Sequence, residues 1–170
     1  MFETEEEYLA ATAPPEPIIP VDTTPVEIPV EPAMIYELSP VYFGFDKYTV
    51  VGETRATLNK VIQAMEAIPE LKIEAVGHTD GKGSDTYNMG LSRRRAEKVV
   101  EFLIQSGADE TRISSSGAGE TEPVARNTNP NGSDSPEGRK LNRRVEFRVL
   151  TPEVPNVKVK VIEVPAELQK

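Results

Sequence analysis

The chain has no cysteine. That excludes disulfides, thiolate metal sites and a cysteine nucleophile, and it excludes an acylated-cysteine anchor within these residues. No apolar run approaches the roughly 20 residues that a helix needs to span a bilayer. Lysine and arginine are missing from residues 1–40, which hold nine of the 28 acidic residues. The other 19 acids stand against 19 bases in residues 41–170, so the net charge of −9 belongs to the leader and the body is neutral. A neutral body gives no electrostatic case for nucleic acid or for an anionic membrane surface. The opening MFETEEEYLA has neither the basic n-region nor the apolar h-region of a signal peptide. The sequence reads as a soluble piece of something longer, with any export signal upstream. Histidine occurs once, at position 78.

Proline is unevenly spread, with eight of 15 in residues 1–40. The stretch APPEPIIPVDTTPVEIPVEP reads as an extended, acidic linker, since proline donates no ladder hydrogen bond and little here can be buried. At about 3.1 Å per residue such a segment works as a spacer. Its short apolar runs, Ile18–Ile19 and Met34–Leu38, are candidate edge strands. The expected division is a linker over 1–40, a domain over 41–151 and a C-terminal extension over 152–170.

Within the body, VYFGF (41–45) predicts a strand. Leu58, Val61, Ile62, Met65 and Ile68 follow helical spacing up to Pro69. LKIEAVGH (71–78) alternates as a strand. TDGKGSD is a loop with Ser84 and Asp85 as candidate N-caps. A helix follows from about Tyr87 to Gln105, closed by Gly107. TRISSSGAG (111–119) predicts a third strand, 120–142 a long loop, and RRVEFRVL (143–150) a fourth strand with Val145, Phe147 and Val149 on one face. NVKVKVIEV predicts a peripheral fifth strand. The fold class is an α/β sandwich of the β-α-β-α-β-β type, a mixed sheet with helices packed on one face.

The chemistry concentrates in GHTDGKGSDTYNMGLSRRRAEKVVEFL. On a wheel of about 100° per residue with Leu91 at 0°, the apolar face centres near 90°, Arg93 and Arg94 fall near 200° and 300°, and Arg95 falls near 40°. Arg95 therefore faces the sheet, where an unpaired charge is costly. Two readings follow. Asp80, at the end of the preceding strand, forms an internal ion pair with Arg95. Alternatively the two flank a pocket, Arg95 taking a carboxylate in a fork and Asp80 an ammonium.

GHTD, YNMGLSRRRAEKVVEFL, RISSSGAGETEPVARN and GRKLNRRVEF, in that order, resemble the peptidoglycan-binding domain of the OmpA C-terminal type, shared with Pal and MotB. VYFGFDKYTV resembles the family's opening strand, in wording close to Pal. The resemblance covers about 41–150. It implies a non-enzymatic protein without cofactor or metal, which binds the peptidoglycan stem peptide through meso-diaminopimelate and anchors an outer-membrane or envelope element to the wall. It implies a place in the periplasm of a Gram-negative cell envelope. By motif position the ligand residues are Asp80 and Arg95, supported by Asp46, Thr79, Asn88, Leu91 and Arg143. Thr79 and Asn88 suit peptide amides, Asp46 the ammonium, Leu91 an aliphatic chain, and Arg143 a carboxylate or Asp80 itself. Stems with lysine in place of diaminopimelate lack the second carboxylate and should not bind. NTNPNGSDSPEG, between Asn127 and Gly138, is longer than the family's usual connection, and the resemblance leaves that rim of the pocket undefined.

Other classes fit less well. His78 and Asp80 are too few for a metal site. SSSG (114–117) is not set in a strand-to-helix elbow, and GAGE (117–120) is not a dinucleotide fingerprint. SRRRAEK reads as a solvated helix face. The alternative of a different class is a structural or interaction module of an envelope assembly, with a degenerate pocket.

Overall fold

The computed structural model describes residues 34–170. The Ile18–Ile19 strand candidate and most of the expected linker lie outside the described residues. In chain order the elements are β1 (Tyr36–Leu38), β2 (Val41–Tyr42), α1 (Gly52–Ala67), β3 (Ile73–Gly77), α2 (Asp85–Gln105), β4 (Ile113–Gly117), α3 (Pro136–Asn142), β5 (Arg144–Val149) and β6 (Val157–Val159). Single-turn 3₁₀ helices occupy Glu110–Arg112 and Ala166–Leu168. The main sheet runs β2-β5-β3-β4. β3 and β4 are parallel, and β5 is antiparallel to both β2 and β3. This is the α/β sandwich that the periodicities predict, with a third, short helix added.

Alternation decides which face is buried. Ile73 and Ala75 of β3 and Val145 and Phe147 of β5 join Leu58, Val61 and Met65 of α1 and Ala96, Val99 and Leu103 of α2 in one core. Both long helices therefore pack on the same face of the sheet. Two glycines set how close α2 comes. A Cβ at Gly77 would lie 1.9 Å from the Ser92 carbonyl oxygen, and one at Gly117 would lie 2.5 Å from Ser92 Oγ. Only a residue without a side chain lets helix backbone approach strand backbone this tightly.

The helix ends follow from local chemistry. Ser84 Oγ accepts the Tyr87 N–H at 3.2 Å, so the cap falls on the first of the two candidates. At the other end Gly107 has φ +105°, the Ala108 N–H reaches the Leu103 carbonyl and the Gly107 N–H reaches that of Ile104. That pair of bonds is a Schellman closure. The end of α1 is closed from a distance. The Arg112 guanidinium donates to the carbonyls of Met65, Ile68, Pro69 and Leu71. Met65 lies in the last turn of α1, where carbonyls lack intrahelical partners, and the other three follow the helix end.

Several expectations are corrected. The opening strand pairs only over Val41–Tyr42, because the next two carbonyls, Phe43 and Gly44, accept from Arg143 Nε and Arg95 Nη2. The expected 120–142 loop contains α3, capped by Ser135 Oγ on the Gly138 N–H at 3.1 Å. The fifth strand is short. Val157–Val159 pairs in parallel with Tyr36–Leu38 in a separate two-stranded sheet. The body thus starts upstream of 41, at the Met34–Leu38 edge-strand candidate, and Leu38 is wholly buried. Among the described residues no helix is long and apolar enough to cross a membrane.

Candidate functional site

The topology brings four pieces of chain to one end of the sheet. β2 and β3 point the same way, so the residues after each emerge together. β5 runs against them and therefore begins at that end, which places Arg143 there. α2 returns from β3 and starts there too. Between these pieces lies a cavity of about 180 Å³ whose lining includes Asp46, Thr79, Asp80, Asn88, Leu91, Arg95 and Arg143. All seven residues singled out from the sequence meet around this one cavity.

Arg95 is fully buried. Its Nε donates to the Lys47 carbonyl at 2.8 Å, Nη1 to that of His78 at 2.9 Å and Nη2 to that of Gly44 at 3.1 Å. Three of the five guanidinium N–H groups are therefore used, all on neutral acceptors. The Phe43 ring centroid is 5.4 Å from its Cζ. Among the described residues no carboxylate lies within 4.0 Å of it. Burial first, and the neighbouring Arg143 second, push its pKa down to about 10, so it remains a cation at neutral pH.

The Asp80–Arg95 ion pair does not form. Asp80, itself buried, meets Arg143 Nη1 through Oδ2 at 3.1 Å and accepts the Lys82 N–H on Oδ1 at 3.0 Å. Arg143 also donates from Nε to the Phe43 carbonyl at 3.0 Å. Arg95 is held away by its three carbonyls, and Arg143 reaches the carboxylate instead. The cavity therefore contains one satisfied pair, Asp80 with Arg143, and one buried cation without a counter-charge in contact.

The remaining groups divide into engaged and free. Thr79 Oγ1 is buried and has no hydrogen-bond partner among the described residues. Asn88 Nδ2 reaches the Asp80 carbonyl at 3.4 Å, a long bond. Leu91 offers an apolar wall. Asp46 sits at φ +55°, a left-handed conformation that aspartate tolerates better than most residues, and accepts a hydrogen bond from the Tyr87 hydroxyl. That bond raises the Tyr87 pKa.

Four further residues line the cavity without having been singled out by the motifs: Phe45, Lys82, Gly83 and Tyr87. In the sequence Phe45 reads as part of a strand and Tyr87 as the start of a helix. Each lies within three positions of a residue already singled out, and that adjacency is the available signal. Lys82 Nζ stands 5.7 Å from the Phe45 ring centroid. The long 127–138 segment contributes nothing to the lining. It is folded on itself by Asn129 Nδ2 donating to Ser133 Oγ and the Asp134 carbonyl, by the Thr128–Asp134 bridge and by the Asp134–Arg139 ion pair. The rim that the resemblance left undefined is therefore not built from this segment.

Comparison with known proteins places this geometry. The model of the OmpA family matches residues 42–135. Photosystem I P700 chlorophyll a apoprotein A2 of Gloeobacter violaceus is 42% identical over 115 residues, covering 68% of this chain and 13% of that protein. Outer membrane protein A of Bordetella avium is 39% identical over 133 residues, covering 78% of this chain and 66% of that protein. The chain thus spans less than two thirds of the length of either curated relative. Among solved structures, the peptidoglycan-associated lipoprotein from Burkholderia pseudomallei superposes with a TM-score of 0.57 at 29% identity, over 65% of this chain and 88% of that one.

Proposed function

The chain belongs to the OmpA family, and from that premise we propose that its cavity holds the peptide stem of peptidoglycan through diaminopimelate, tethering an envelope component to the cell wall. The observation that carries the reading is Arg95, a buried guanidinium with two N–H groups to spare and, among the described residues, no carboxylate in contact. A ligand carboxylate supplies that counter-charge in a charge-assisted bond. Asp46 and Asp80 line the same cavity and suit the ligand's ammonium. Both Asp80 oxygens are engaged, but each keeps acceptor capacity, since a carboxylate offers about four lone-pair sites. Thr79 Oγ1 gains the partner it lacks from a peptide amide, Asn88 offers a second polar contact, and Leu91 packs on the aliphatic chain.

The similarity to a peptidoglycan-associated lipoprotein supports an association with peptidoglycan. The binding is non-covalent and no bond in the ligand is cleaved. The wall presents many identical stems, so weak single contacts suffice through effective concentration. The site faces the periplasm of a Gram-negative envelope, and an upstream element is held at the outer membrane.

Calorimetric titration with L-Ala-γ-D-Glu-meso-diaminopimelate tests this. Binding is expected in the intact chain, and it is expected to disappear in Asp80→Ala and for the analogue with lysine in place of diaminopimelate. Circular dichroism verifies that the variant is folded. Unchanged affinity in folded Asp80→Ala, or equal affinity for the lysine analogue, overturns the reading.

A further inference from the structure

The cavity carries one cation more than a zwitterionic amino acid can use. Its charged residues are Asp46 and Asp80 against Lys82, Arg95 and Arg143. Asp80 and Arg143 satisfy one another at 3.1 Å. A bound zwitterion then matches Asp46 with its ammonium and Arg95 with its carboxylate. Lys82 is left over, and among the described residues no carboxylate lies within 4.0 Å of its Nζ.

The main chain at Lys82 is fixed beside the cavity. Lys82 donates its backbone N–H to Asp80 Oδ1 at 3.0 Å, which fixes the start of the loop beside the Asp80 carboxylate. Its ammonium stands 5.7 Å from the Phe45 centroid, and Phe45 lines the cavity. The charge is thus presented at the exposed rim of the cavity, over the exposed face of Phe45.

We propose that Lys82 recognises a second carboxylate on the same peptide ligand, one residue away from the zwitterionic centre, and that the site therefore discriminates free-acid stems from amidated ones. In the stem, the γ-linked glutamate beside diaminopimelate keeps its α-carboxylate free unless that group is amidated. A carboxylate there completes the neutralisation of the cavity, and a neutral amide leaves Lys82 without a partner. The inference rests on the stem reading above and adds a selectivity to it.

The test compares L-Ala-γ-D-Glu-meso-diaminopimelate with its D-isoglutamine counterpart by titration against the intact chain and against Lys82→Gln. At low salt the intact chain is expected to prefer the free acid by about three- to five-fold, the range of a partly exposed ion pair. The preference should shrink as ionic strength rises. In Lys82→Gln the ratio should fall to near one, with the loss falling on the free acid. Equal affinity of the two peptides for the intact chain, or a ratio kept in Lys82→Gln, overturns the inference while leaving the stem reading in place. Failure of both peptides to bind the intact chain takes down the stem reading and this inference with it.

Discussion

Arg95 and His78 are neighbours through one hydrogen bond, the guanidinium donating to the His78 carbonyl, and both are buried. Arg95 stays charged because three carbonyls receive it. The imidazole of His78 takes the opposite course. Both ring nitrogens are buried without a hydrogen-bond partner among the described residues, and burial followed by the fields of Arg144 and Arg148 lowers its pKa to about 3. Glu146 Oε2, 3.7 Å from Nε2, would favour the charged form, but Arg144 already holds the other oxygen of that carboxylate at 2.6 Å. His78 is therefore neutral in the folded protein. The unfolded chain takes up its proton near the ordinary value of about 6.5, whereas the folded chain does so only near 3. The stability that depends on neutral His78 is present above that ordinary value and is lost progressively as the pH falls toward 3. Urea denaturation should show a loss of about 2 kcal/mol between pH 7 and pH 5 that is absent from His78→Gln. An equal pH dependence in both proteins would mean that the histidine is not the group responsible.

At the scale of elements, the position of α2 decides whether a cavity exists at all, and two glycines set that position. In Gly77→Ala the new methyl would stand 1.9 Å from the Ser92 carbonyl oxygen, so α2 must move away from β3. The expected cost is about 1–3 kcal/mol, as for other overpacked sites, together with weaker stem-peptide binding, because Asn88, Leu91 and Arg95 all ride on α2. Gly90 is the control. It lies within α2, and a methyl group there would meet nothing within 4 Å, so Gly90→Ala should stabilise by about 0.5–1 kcal/mol. Thermal unfolding of the two variants distinguishes close approach from helix propensity. The helices and strands with strong periodicity were legible in the sequence to within a few residues. α3 was not. Its seven residues lie in a run rich in Asn, Gly, Pro and Ser, although Ser135 followed by Pro136 and Glu137 carries an N-terminal signature.

At the scale of the molecule, the C-terminal segment is built into the body. β6 pairs with β1, Leu168 is almost fully buried, and its carbonyl accepts the Arg126 N–H at 2.8 Å. Leu168→Ala should therefore cost about 2–4 kcal/mol in chemical denaturation. Leu168 does not line the ligand cavity, and stem-peptide affinity should be retained wherever the variant is folded. A loss of stability well below 1 kcal/mol would mean that the tail is only laid against the surface. Whether this segment pairs was not readable in advance. Its alternation of apolar and charged residues defines a strand but not a partner, and the partner lies more than a hundred residues away.

What the sequence determined by itself is local. Periodicity defined the main helices and strands, the helical wheel turned Arg95 inward and Arg93 and Arg94 outward, and motif order identified the seven residues that meet at the cavity. The tertiary structure alone decided who pairs with whom. Asp80 meets Arg143 rather than Arg95, because three loop carbonyls reach the Arg95 guanidinium first. Lys82 comes to stand over Phe45, because β2 and β3 end at the same edge of the sheet. Contacts of that kind depend on distances between chain segments far apart in sequence, and no local pattern of residues encodes them.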